Sequence, residues 1–230
     1  MRILVALGLG VFLLLTNANE AAAHSLQSLE NQLRDREKYF QSLDREAPDF
    51  ILQDADGRTV GLSALRGKVV VLHFIYTNCP DICPLHAERI AEIQAMTNQT
   101  PMRELVRFVT ITTDPKNDTP EVMRTYGRDH GLDPVNWAFL TSGPQRITAT
   151  RELVERFGHK FTQEGDGYQV HGVVTHVIDM EGRWRANFHG LQFQSTNLVL
   201  FINALTNDIH GAGKSKSQGM WNKIQGMFKQ

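Results

Sequence analysis

Val69-Val-Val-Leu-His-Phe-Ile-Tyr76, followed at once by Thr77-Asn-Cys79-Pro-Asp-Ile-Cys83-Pro84, is the stretch on which the rest of the chain hangs. Its first eight residues are too apolar on both faces for a sheet edge and predict a central buried strand. Residues 84–96 carry Leu85, Ile90 and Ile93 on one side and predict a helix. The two cysteines therefore occupy a turn between a buried strand and a helix N-terminus. Free N–H groups and the positive end of the helix dipole favour thiolate over thiol there, so both cysteines are expected to be acidic and reactive. Proline disfavours helical geometry in the residue before it, which puts the helix start near Pro84 and leaves Cys83 in the turn.

Outward from this core, residues 108–113, 138–141, 173–179 and 184–188 predict strands. Thr119-Pro120 opens a helix with an N-cap followed by proline, residues 145–157 predict another, and 195–207 a closing one. Upstream, residues 49–57 alternate and end in Asp56-Gly57, the signature of a β-hairpin leading into 59–62. Residues 31–43 read as an exposed charged helix or linker. Strand and helix alternate, then two strands flank Gly182 and a helix closes the chain. That order predicts an α/β, thioredoxin-like fold with an N-terminal β-hairpin extension.

Composition removes several classes. With 230 residues the chain allows one medium domain and a tail. A net charge of −1, from 24 Lys+Arg against 25 Asp+Glu, offers no basic surface for nucleic acid. Two cysteines cannot staple a mini-domain or build a four-cysteine zinc ribbon, so whatever they do, they do as one pair. Met1-Arg2, an apolar run from Ile3 to Leu15 and Ala21-Ala22-Ala23 read as a cleaved secretory signal. A 13-residue run spans about 20 Å of helix, short of the roughly 30 Å of a bilayer core. The expected organisation is a signal peptide over 1–23, a helix or linker over 24–47, the thioredoxin-like domain over 48–208, and a linker with a short amphipathic tail over 209–230. Met220, Trp221, Ile224, Met227 and Phe228 share one face of that tail, which suits a membrane surface or a docking partner.

Three residues separate Cys79 from Cys83, against two in a thioredoxin-type redox pair. A loop of that width also holds two sulfurs around a metal. Soft thiolates suit Cu(I), and an added imidazole suits Cu(II). His171 and His176 are the candidate third ligands. A separation of five puts them on opposite faces of a strand, so one alone faces the cysteines. His171, at the strand entrance beside Gly172, is the better placed. A plain disulfide staple is the bland alternative, although so short a loop constrains the unfolded chain little.

Tyr76-Thr-Asn-Cys79-Pro-Asp-Ile-Cys83-Pro84 resembles the copper-binding loop of the Sco/SenC family, exported thioredoxin-fold copper proteins of cytochrome c oxidase assembly. Thr112-Thr-Asp114-Pro-Lys-Asn-Asp118-Thr-Pro120 resembles a second family signature, and Trp137 with Leu140-Thr141 a third. The Gly67-Lys68 lead-in is shared with peroxiredoxins and is not specific. The family's copper histidine stands eleven residues before a turn glycine, as His171 stands before Gly182. The resemblance thus implies Cys79, Cys83 and His171 as ligands of Cu(I) or Cu(II), with Asp114 beside them. Val170 and Gly172 depart from the Asp and Ser or Thr usual around that histidine. The implied function is a periplasmic metallochaperone, possessing signal-directed export, that serves the CuA-bearing subunit of cytochrome c oxidase and is kept reduced by a thiol reductant protein. The alternative is a thiol–disulfide oxidoreductase in which Cys79 attacks and Cys83 resolves, with a thiol peroxidase a distant third.

Overall fold

The computed structural model describes residues 26–164 and 167–207. The expected signal peptide over 1–23 and the amphipathic tail over 220–228 lie outside the described residues. In chain order the elements are α1 (Leu26–Arg36), β1 (Phe40–Glu46), β2 (Ile51–Asp54), β3 (Thr59–Gly61), β4 (Val69–Ile75), α2 (Ile82–Asn98), β5 (Val106–Thr112), α3 (Pro120–Asp129), β6 (Trp137–Thr141), α4 (Ile147–Arg156), β7 (Lys160–Glu164), β8 (Gly167–His171), β9 (Val174–Ile178) and β10 (Arg183–His189). Residues 195–207 are helical.

Every residue of β4 is buried, as its composition requires. It pairs in parallel with β5, from Val69↔Val106 to Ile75↔Thr112, and antiparallel with β9. The sheet runs β1-β10-β9-β4-β5-β6-β2-β3. Val69, Val71 and Ile75 face one core with α1, α2, α3 and the closing helix, while Val70, Leu72 and Phe74 face a second core with α4. The result is a thioredoxin-like fold: β4–α2–β5 forms a parallel crossover, and β9, β10 and the last helix complete the sheet's other side. The predicted hairpin is β2–β3. Asp54 Oδ1 accepts from the Asp56 and Arg58 N–H groups at 2.9 Å, and Gly57 takes φ +77° to close the turn.

Three local expectations need correction. Residues 31–43, expected as an exposed charged helix or linker, are helical only to Arg36 and are packed: α1 buries Leu26, Glu30 and Leu33, and β1 pairs with β10 as a sheet edge. Glu30 is held inside by Arg185 at 3.1 Å, so a charged sequence masks a packed element. The helix α2 begins at Ile82 rather than near Pro84. A proline in the first turn lacks an N–H that has no intrahelical partner anyway, and this outweighs its effect on Cys83. His171 does not enter the strand of 173–179. It ends β8, in a separate two-stranded ribbon with β7, and Gly172 at φ +102° separates it from β9.

Gly127 on α3 faces Trp137, and a Cβ there would lie 2.1 Å from the indole Cη2. Trp137 cannot swing away freely, because its Nε1 donates to Thr110 Oγ1 at 2.8 Å. Gly127→Ala is therefore expected to destabilise the domain by about 2 kcal/mol, the scale of an overpacked core, as read from its urea midpoint.

His73 and His176 in the sheet and His86 on α2 are buried, and desolvation holds all three below their ordinary value, His73 at about 3. Folding thus favours their neutral forms. The associated stability is complete above a pH of about 6.5, where the unfolded histidines are neutral too. It is lost as pH falls and the unfolded chain takes up protons. One to three protons correspond to a slope of about 1.4 to 4 kcal/mol per pH unit. Urea titrations at pH 6 and pH 5 are expected to show that decline.

Candidate metal and thiol site

The turn after β4 places Cys79 directly before the first turn of α2. Asp81 at the N-cap makes no side-chain capping bond. Instead, the Cys83 N–H donates to Cys79 Sγ at 3.4 Å, so the sulfur takes the acceptor role that a capping oxygen usually fills. Both cysteines are free thiols, each 7% exposed. They line a cavity of about 280 Å³ whose walls include Tyr76, Pro80, Ile82, His86 and, from across the site, Gly172 and Val173.

The expectation of two acidic cysteines holds for one of them. Burial opposes ionisation of Cys79, but the Asp81 and Cys83 N–H groups, the Cys83 thiol and Tyr76 outweigh it and hold Cys79 below the usual thiol range. Burial pushes Cys83 far up, and the neighbouring Cys79 and Asp118 reinforce this. The reason is the shared helix mouth. Its N–H groups stabilise one negative charge, and a second beside it is disfavoured.

Asp114 helps build the adjoining turn. Its carboxylate accepts from Asn117 Nδ2 at 2.7 Å, and its carbonyl accepts from the Asn117 and Asp118 N–H groups. The carboxylate that reaches the cysteine loop is Asp118. It accepts from the Thr77 N–H at 3.3 Å and from the Thr77 and Thr112 hydroxyls, and so ties the loop to the end of β5. Burial lifts Asp118 above the usual carboxylate range. The sequence contained a signal for it, since Asp118 belongs to the same stretch as Asp114.

The two histidines part company. His176 is buried in the second core, against Phe74, Phe157 and Trp184, on the face away from α2. Its neighbour Thr175 faces α2 and bonds His86 Nε2 at 2.9 Å. His171 is followed by Gly172 and Val173, and these two residues form the cavity wall opposite the thiols. Among the described residues no cluster of three or more His, Cys, Asp or Glu side chains can hold a metal. The two sulfurs are a soft but incomplete donor set, open to a further ligand. His86 and His159 were not anticipated: a histidine among apolar residues carries no signal of which neighbours it will meet.

A dithiol at the mouth of the helix that follows a central buried strand defines a thioredoxin-like thiol protein. The sequence pattern of the SCO1/SenC family matches residues 40–205, and the chain belongs to that family. The SCO1 protein homolog of Bacillus subtilis (strain 168) is 27% identical over 156 residues, which are 65% of this chain and 77% of the relative. BsSco, a member of the Sco family of cytochrome c oxidase assembly proteins with an identified disulfide switch, superposes with a TM-score of 0.63 at 22% identity, covering 72% of this chain and 96% of the other. Bradyrhizobium japonicum ScoI, solved with copper bound, superposes with a TM-score of 0.58 at 24% identity, covering 70% and 99%.

The asymmetry of the pair is directly measurable. Iodoacetamide labelling of the reduced protein, read by peptide mass mapping across pH, is expected to modify Cys79 first, at or below the pH where an ordinary thiol reacts. Cys83 is expected to resist until well into the alkaline range.

Proposed function

We propose that this chain is an exported, periplasmic copper metallochaperone that assists assembly of the CuA site of cytochrome c oxidase. In this reading Cys79, Cys83 and His171 hold one copper ion. The observation that carries it is the pair of free thiols facing, across one small cavity, the chain segment that leaves His171. Family membership supports the reading, as do the copper held by ScoI and the oxidase-assembly role of BsSco.

Copper is cargo here, so the site must release it as well as bind it. Cys79 is the first sulfur available, being nearest to thiolate. Closing the second bond displaces the proton of Cys83, so binding releases protons and weakens as pH falls. An incomplete donor set leaves room for a ligand from the acceptor subunit to enter before one of the chain's own departs. Asp118 holds the loop between the two sulfurs and β5, and Asp114 holds the turn that presents Asp118. A thiol reductant protein returns the pair to the dithiol state, and the tail over 220–228 provides a membrane-surface contact.

The unequal thiols favour a second reading, thiol–disulfide exchange with partner cysteines. The Cys79 thiolate attacks one sulfur of a partner disulfide, that S–S bond breaks, and the departing partner thiolate takes up a proton. Cys83 then loses its proton and attacks Cys79, releasing the partner's second thiol. The partner gains the two electrons that this chain loses.

Copper retention by the fully reduced protein separates the two. One copper per chain is expected, with none retained by Cys79→Ser or Cys83→Ser. Affinity should fall at least about tenfold in His171→Ala, since even outer partners of ligands are worth 10–100-fold. Failure of the reduced wild type to bind copper would leave the oxidoreductase reading in its place.

A further inference from the structure

His159 and His176 form a buried pair that neither thiol chemistry nor copper ligation uses. Their Nε2 atoms lie 2.9 Å apart, with His159 at 6% and His176 at 0% exposure. The direction of this bond follows from its surroundings. Trp184 Nε1, which can only donate, gives its hydrogen to Asn187 Oδ1 at 2.8 Å. The Asn187 amide nitrogen donates to Gln41 Oε1 at 2.9 Å, so Oδ1 is the group that faces His176 Nδ1, at 2.7 Å. His176 therefore carries its proton on Nδ1, and its bare Nε2 accepts from the Nε2–H of His159. Phe74 packs edge-on against both rings, at 5.2 and 5.8 Å.

The place of this bond in the fold gives it a consequence. His159 follows Gly158 and immediately precedes β7, whose first residue, Lys160, is the cross-strand partner of His171. β7 and β8 pair with each other and not with the eight-stranded sheet. The ribbon is rooted where residues 158–160 and 171–174 leave the body of the domain, each crossing containing a glycine with positive φ. Glycine supplies no conformational restraint of its own. At this root the His159 side chain bonds β9 just after its start, and so ties the chain leading into β7 to the strand that β8 leads into.

We propose that the His159–His176 hydrogen bond is a positioning device that fixes the root of the β7–β8 ribbon and thereby sets where His171 stands relative to Cys79 and Cys83. This rests on the reading of His171 as a copper ligand. The two histidines touch no metal themselves; they act as outer partners do, by orienting a ligand-bearing segment.

The test uses the full chain, reduced and then loaded with Cu(II). The imidazole contribution is read by pulsed EPR, and copper affinity by competition with a chelator. His159→Leu removes the donor; His159→Gln keeps an amide N–H at a similar reach. His159→Leu is expected to lose the imidazole signature and about tenfold in affinity, approaching His171→Ala, while His159→Gln stays close to wild type. The loss should vanish when His159→Leu is made in the His171→Ala background, because both changes remove one interaction. Circular dichroism and thermal unfolding check folding. Should His159→Leu not fold, His159→Asn, whose amide is too short to reach His176, is read in the same way. A wild-type imidazole signature in the donor-less variant, or an undiminished loss in the His171→Ala background, overturns the positioning role alone. Unchanged copper binding in His171→Ala removes His171 as a ligand and this role with it.

Discussion

β4 has no face that meets water. A strand of valine, leucine, isoleucine and phenylalanine on both sides has to be covered by two layers, each such side chain contributing about 1.5–3 kcal/mol when fully buried. The cover on one side is α1, α2, α3 and the closing helix, and on the other α4. Because β4 ends in the middle of the sheet, the turn that follows it emerges at the edge of the core, and α2 must fold back from there. The cysteines owe their surroundings to that geometry. They are largely shielded from water but stand at a helix mouth, and their loop is roped to β5 through Asp118.

The same geometry separates the two sulfurs chemically. One helix N-terminus offers enough N–H groups for one anion, and Cys79 occupies that position while Cys83 remains a buried thiol. For a protein that must both capture and surrender a soft metal ion, this arrangement makes the Cys79 proton the easier of the two to displace. For one that exchanges disulfides, it assigns the attacking and the resolving sulfur. Under the proposed copper reading, the distinction between these roles lies outside the dithiol, in the segment that carries His171.

Much of the architecture was legible along the chain. The buried strand, the hairpin closed by Asp56-Gly57, the capped helix at Thr119-Pro120 and the paired strands around Gly182 each follow from local chemistry that tertiary packing only confirmed. The elements that escaped notice share a physical cause. β1 is an edge strand whose Asp44, Arg45 and Glu46 are exposed, so their charge masks a strand held by pairing with β10 and by Arg183 across the sheet. β7 and β8 pair with each other in a ribbon apart from the sheet, and residues 160–164 and 167–171 hold too few apolar residues to announce strands. At the site, the cysteines were legible because a strand, a turn and a helix N-terminus are contiguous in sequence. Their inequality was not, since it arises from competition for the same N–H groups.

The sequence by itself determined a central buried strand, a dithiol at the mouth of the helix after it and an α/β order of elements. All of these depend on residues within a few positions of one another, or on a pattern repeated along one element. Tertiary structure decided the face on which His176 is buried, the choice of Asp118 as the carboxylate at the cysteine loop, and the joining of His159 to His176. Those outcomes depend on strand pairing between residues far apart in the chain, and on which polar groups are left facing one another once the two cores have closed.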